Sequence, residues 1–222
     1  MSLEAKGIEF SYANGKPVLA GVDLSVEPGE RVALVAPSGR GKTTLCRILA
    51  GYLLPQRGEV RADGASVAPC ARGPRRAPAG PRPVQLIWQH PEQAFDPLMR
   101  MGRSLDEAAR PYAARGPAAR AAARAAGLLG HFGIRDAWLE RFPHELSGGE
   151  LMRFCIVRAL LAEPRYLVCD EMTAMLDAVT QAEIWHEVLS IAGERDMGLV
   201  LVSHSPALVE RLATRTFGLG ER

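Results

Sequence analysis

Two hydrophobic regimes alternate along the chain. Four short segments, 29–35, 84–88, 166–169 and 198–202, are dominated by consecutive aliphatic and β-branched residues. Segments of this kind, separated by stretches with helical spacing, predict strands of a parallel sheet covered on both faces. A different period governs residues 147–161. Leu151, Phe154, Val157, Arg158 and Leu161 recur at helical spacing and give one largely apolar face. Ser147 precedes that helix as its N-cap, and Glu150 follows three residues later, the pattern of a capping box. A shorter apolar helical stretch, 45–49, follows the first strand. The Ala- and Arg-rich stretch 112–126, broken at Gly116-Pro117, predicts surface helices of a small helical subdomain. Residues 68–83 hold five prolines, four arginines and no acid, which predicts a solvated connection without regular helix.

With 222 residues the chain can bury a real core, and it reads as a single domain over 1–222 with a helical subdomain inserted at roughly 91–160. The formal net charge of +2 offers no broad electrostatic attraction for polyanions, so no nucleic-acid partner is expected. No apolar run approaches the ~20 residues that span a bilayer, and the N-terminus lacks a signal-peptide core. The chain is therefore expected not to enter a membrane by itself. Cys46, Cys70, Cys155 and Cys169 form no CxxC pair, and three of them lie in apolar segments, as reduced packing residues do.

Candidate chemistry collects at the ends of the four predicted strands, where ligands of parallel sheets bind. After the first comes Ala36-Pro37-Ser38-Gly39-Arg40-Gly41-Lys42-Thr43-Thr44, a glycine-containing turn that enters a helix. Backbone N–H groups of such a turn cradle phosphates, Lys42 adds a mobile positive charge, and the Thr43 hydroxyl can ligate Mg²⁺. The usual pattern opens with glycine; Ala36 is tolerable there if the position keeps a negative φ. The second strand stops at Gln89, whose amide oxygen can serve a metal or a water. The third stops at Asp170-Glu171: Asp170 can complete the Mg²⁺ shell opposite Thr43, and Glu171 can orient or deprotonate an attacking water. The fourth stops at Ser203-His204, which places His204 as a sensor of a terminal phosphate. Each residue alone has an ordinary structural explanation; their joint position at four strand ends does not.

The segment Leu146-Ser147-Gly148-Gly149-Glu150 decides between classes, because a capping box does not require two adjacent glycines. Gly-Gly at a helix start permits close backbone approach to an anion, with Ser147 as a further donor. With these residues assembled, the chain resembles the nucleotide-binding subunit of an ABC transporter over nearly its whole length. Residues 36–43 look like the Walker A loop, 166–171 like Walker B with its catalytic glutamate, and 146–150 like the LSGGQ signature with Glu150 in place of Gln. Gln89 matches the Q-loop, Ala174-Met175-Leu176-Asp177 the D-loop, His204 the switch histidine, and Tyr12 the aromatic that stacks on adenine. Trp88-Gln89-His90-Pro91 and Phe142-Pro143-His144-Glu145 are similar to the peptide, nickel and metallophore importer branch.

The resemblance implies an α/β P-loop core with a mostly parallel sheet, an N-terminal antiparallel β region and a small helical signature subdomain. It implies ATP and Mg²⁺ as ligands, contacted by Tyr12, Ser38 through Thr44 and, from a facing subunit, Ser147, Gly148 and Gly149. Thr43, Gln89 and Asp170 would hold the metal; Glu171, His204 and Gln89 would carry the catalysis. The partners implied are a second copy or a sibling ATPase, together with integral-membrane permease subunits on the cytoplasmic face of the cell membrane. Phe95, Met99 and Met101 are docking candidates for those subunits, though core packing explains them equally well. A soluble ABC-type ATPase serving an enzyme complex remains the alternative. The 104 residues between Lys42 and Ser147 leave no room for the long coiled coil of chromosome-type members.

Overall fold

The computed structural model describes residues 1–13, 15–67, 82–108 and 127–220. The expectations for 112–126, for most of 68–83 and for Cys70 fall outside the described residues. In chain order the strands are β1 (Leu3–Ser11), β2 (Pro17–Val26), β3 (Arg31–Val35), β4 (Arg57–Ala62), β5 (Ala65–Ser66), β6 (Val84–Ile87), β7 (Tyr166–Asp170), β8 (Gly198–Val202) and β9 (Arg215–Gly218). They form two sheets. One is antiparallel, in the order β2-β1-β4-β5; the other runs β6-β7-β8-β3-β9 with every pairing parallel. The helices are α1 (Lys42–Leu49), α2 (Met101–Ala108), α3 (Leu128–His131), α4 (Asp136–Leu139), α5 (Gly148–Leu160), α6 (Ala178–Glu194) and α7 (Pro206–Leu212).

The apolar runs are continuous because the parallel sheet has a core on each side. Val32 and Leu34 of β3, Tyr166 and Val168 of β7, and Val200 and Val202 of β8 face one cluster, shared with α1 and the antiparallel sheet. Their neighbours Ala33, Leu167, Cys169, Leu199 and Leu201 face the other, shared with α5 and α6. Alternate side chains of a strand point to opposite faces, so a strand buried twice has no polar position left over. Each fully buried aliphatic side chain contributes about 1.5–3 kcal/mol. Strand β9 escaped the sequence reading because it is an edge strand: Arg-Thr-Phe-Gly pairs only with β3 and keeps exposed positions.

The second cluster also takes in Phe95, Met101, Leu105, Phe132 and Trp138 beside α5. Phe95 and Met101 are therefore core residues, 7% and 0% exposed, and not docking surface; neighbouring Leu98 is 86% exposed.

Close approach at the start of β8 makes a first prediction. A Cβ at Gly198 would stand 2.7 Å from Cδ1 of Tyr166 and 2.8 Å from the Glu27 carbonyl oxygen. Gly198→Ala should therefore cost about 1–3 kcal/mol through overpacking. In thermal unfolding the melting temperature should fall by roughly 2–10 °C; an unchanged value would mean that Tyr166 yields freely.

Candidate functional site

The turn after β3 is shaped by its glycines. Gly39 and Gly41 have φ of +78° and +90°. A Cβ on Gly41 would lie 2.9 Å from Val18 Cγ1 and 3.1 Å from the Val18 carbonyl oxygen, so both conformation and space demand glycine. Ala36 is not among the non-glycine residues with positive φ, and its side chain packs on the core. The missing glycine at that position thus leaves the turn intact. Gly41 caps α1 without a side chain, which leaves the first-turn N–H groups of the helix as donors toward an anion. Lys42 is buried, and its ammonium donates to the carbonyls of Ala36 at 2.7 Å and Pro37 at 3.2 Å. Two of its three N–H groups hold the turn closed and one remains. Ser38, Arg40 and Thr43 are exposed along the same turn.

Tyr12 stands at the rim of this turn. Its hydroxyl lies 3.1 Å from Oγ1 of buried Thr44, and the edge of Phe10 fixes its ring at 4.9 Å and 85°. The ring is 44% exposed, enough to receive a flat base.

At the end of β7, Asp170 is buried, with the Thr43 side chain beside it. Burial raises its pKa, with Thr43, Arg47 and Lys42 opposing the shift. Its Oδ1 is buried without a hydrogen-bond partner. A desolvated carboxylate oxygen beside a threonine hydroxyl is a donor set that suits a hard divalent cation. No group of three or more His, Cys, Asp or Glu that could hold a metal ion exists among the described residues, so such an ion would complete its shell with neutral protein oxygens, phosphate and water.

Glu171, the next residue, sits in the left-handed region at φ +52°, a strain that the surrounding strands impose. Its N–H donates to the Val202 carbonyl at 3.2 Å. Both carboxylate oxygens are engaged: His204 Nε2 stands 2.7 Å from Oε1, and Gln89 Nε2 donates to Oε2 at 3.1 Å. Strands β6, β7 and β8 are neighbours, and these three residues follow their three C-terminal ends. His204, read from the sequence as a sensor of a terminal phosphate, thus stands beside the residue read as handling the water, Glu171.

Ser147, Gly148 and Gly149 are not joined to that constellation by any hydrogen bond or ion pair among the described residues. They line a separate groove of about 390 Å³ with Asp177 and Met175. The capping box is present: the Glu150 N–H donates to Ser147 Oγ at 3.3 Å, and the Ser147 N–H donates to Glu150 Oε2 at 2.8 Å. Asp177 caps α6 through the Val179 and Thr180 N–H groups, each at 3.0 Å, and these bonds with that from the Thr180 hydroxyl lower its pKa. Gly149 packs close to Thr180, so the signature-like turn and the cap of α6 are one surface. Met175 in that surface is 72% exposed.

Sequence reasoning missed the fastening of the segment after Gln89. Arg158 donates to the Ala94 carbonyl and lies 4.6 Å over the Phe95 ring, while the Cys155 thiol meets the Pro91 carbonyl at 3.9 Å. The available signal was an arginine on the apolar stripe of α5. Burial pushes the Cys155 thiol up to about 12, so it acts as an inert packing group. Cys46 and Cys169 are likewise buried, with raised pKa values from desolvation.

Comparison with known proteins follows the same pattern. The family model described as ABC transporter matches residues 19–174. The nickel import ATP-binding protein NikE of Pseudomonas putida is 37% identical over 198 residues, covering 89% of this chain and 71% of that protein. The glutathione import ATP-binding protein GsiA of Escherichia coli K12 is 35% identical over 196 residues, which are 87% of this chain and 31% of GsiA. A solved structure of an ATP binding subunit of an ABC transporter superposes with a TM-score of 0.81 at 26% identity, over 99% of this chain and 86% of that one.

Proposed function

The chain belongs to the ABC transporter family, and from that premise we propose that it is the ATP-hydrolysing subunit of an importer for peptides, nickel or metal–chelate complexes. The observation that carries the ATPase assignment is the convergence of Lys42, Asp170, Glu171, Gln89 and His204 at adjacent strand ends, with Asp170 Oδ1 left without a protein partner. The turn 36–41 and the first N–H groups of α1 receive the phosphates, and Lys42 neutralises the outer ones. Tyr12 stacks on the base. Asp170, Thr43 and the Gln89 amide oxygen would hold Mg²⁺, which would supply positive charge to offset that of the phosphates. Glu171 orients and deprotonates the attacking water, and it must first leave the bonds to Gln89 and His204. His204, once free, reports on the terminal phosphate.

Ser147, Gly148 and Gly149 lie in their own groove, and they complete the site of a second cassette facing head to tail. ATP contacts both cassettes only when they are closed, so binding shifts the population toward the dimer and hydrolysis releases it. The second cassette is another copy of this chain or a sibling ATPase. The described helices between residues 91 and 160 belong to the helical subdomain that meets permease subunits on the cytoplasmic side. No helix among the described residues is long and apolar enough to cross a membrane, so attachment runs through those subunits. The cargo class rests on relatives described as importing nickel and glutathione.

Affinity purification of the tagged chain from gently solubilised native cells, followed by mass spectrometry, tests the transport assignment. Polytopic membrane proteins should accompany it, with or without a second ATPase. Recovery of soluble enzymes alone would transfer the same chemistry to a non-transport assembly.

A further inference from the structure

We propose that Arg135 is a contact residue for the nucleotide held by a facing second copy of this chain, an inference that rests on the head-to-tail reading above. Arg135 precedes α4 and lines the groove that contains Ser147, Gly148, Gly149, Glu150 and Asp177. The charged groups of that groove differ in one respect. Glu150 is committed to the Ser147 N–H, Asp177 to the cap of α6, and Arg153 to Glu183 at 2.7 Å and to the Phe132 carbonyl at 3.1 Å. The Arg135 carbonyl accepts from the Trp138 N–H at 3.0 Å, but the Arg135 side chain makes no hydrogen bond or ion pair among the described residues. Its guanidinium instead lies over the Trp138 ring, 5.4 Å from the centroid.

Stacking holds the planar guanidinium in place while leaving its five N–H donors for an incoming acceptor. The groove needs such a cation. The carboxylate of Glu150 already occupies the Ser147 N–H, which removes one donor from the turn and sets a negative charge beside the path of a polyphosphate. Arg135, which lines the same groove, supplies the compensating charge, and its planar guanidinium suits bidentate contact with phosphate oxygens. The side chain is exposed and makes no cap bond, so replacing it removes only the stacking on Trp138.

The test is carried out in Glu171→Gln protein, with dimerisation followed by light scattering as ATP is added. Adding Arg135→Ala should raise the ATP concentration for half-maximal dimer by roughly tenfold, the effect of one lost charge-assisted contact. Arg135→Lys should recover part of the loss, and Arg135→Glu should exceed it. Affinity of the dilute monomer for a fluorescent ATP analogue should be the same in all four proteins. An unchanged dimerisation curve in Arg135→Ala overturns the inference alone, as does a monomer affinity that falls in step. Failure of Arg135→Lys to recover any of the loss also overturns it, since the role would then be packing on Trp138. A Glu171→Gln parent that stays monomeric in ATP overturns the facing-copy reading and this inference with it.

Discussion

Glu171→Gln should lower steady-state ATP hydrolysis by roughly 10²–10⁴-fold, the usual contribution of a positioned general base, while ATP binding persists. Glutamine keeps the size and the carbonyl acceptor of glutamate and loses the proton-accepting oxygen pair. Binding should survive because the phosphate-facing groups belong to a different set: Lys42 is bonded to Ala36 and Pro37, and Asp170 lies beside Thr43. The glutamine can still face one of its two present neighbours, since Gln89 and His204 approach separate oxygens. If hydrolysis reopens the closed pair, as proposed above, the variant should accumulate as an ATP-bound dimer. Phosphate release and sedimentation in ATP measure the two effects. Equal hydrolysis in variant and parent would remove Glu171 from the chemistry and leave it as the strained end of β7.

Ser147→Arg should abolish turnover and leave the nucleotide affinity of the open monomer intact. Two effects of this change must be separated. Loss of the N-cap bond weakens the start of α5 by about 0.5–2 kcal/mol, and Ser147→Ala reproduces that effect alone. The larger effect is steric and local: a long side chain would project from the turn that, in the proposed dimer, approaches a phosphate held by another cassette. Calorimetric titration of the monomer and an ATPase assay at high protein concentration distinguish the roles. If monomer affinity falls as well, Ser147 serves the site of its own chain, and the two grooves described here are one.

Much of this was written in the amino-acid order, for a physical reason. Strands buried on both faces carry unbroken apolar runs, and polar residues directly after such runs stand where parallel sheets bind ligands. Gln89, Asp170, Glu171 and His204 were legible on that ground. Their mutual bonds were not. The contact of Gln89 with Glu171 crosses 82 positions and depends on β6 lying beside β7, which no run of residues reports. Edge strand β9 has a single neighbour and half-polar composition, so its pattern is that of a loop. Phe95 and Met101 left two readings open for a different reason: outside a clear periodic pattern, an apolar residue bound for the core reads the same as one offered to a partner.

The fastening of residues 91–95 to α5 has a mechanical consequence. Pro91, Ala94 and Phe95 are held by Cys155 and Arg158, while Gln89, just ahead of them, holds Glu171, and Ser147 begins the same helix. Force applied at exposed Leu98 would therefore reach two ends of one lever. A displacement that loosens Gln89 from Glu171 would tilt α5 in the same stroke, and arming the water-activating carboxylate would be geared to presenting Ser147 to the facing cassette.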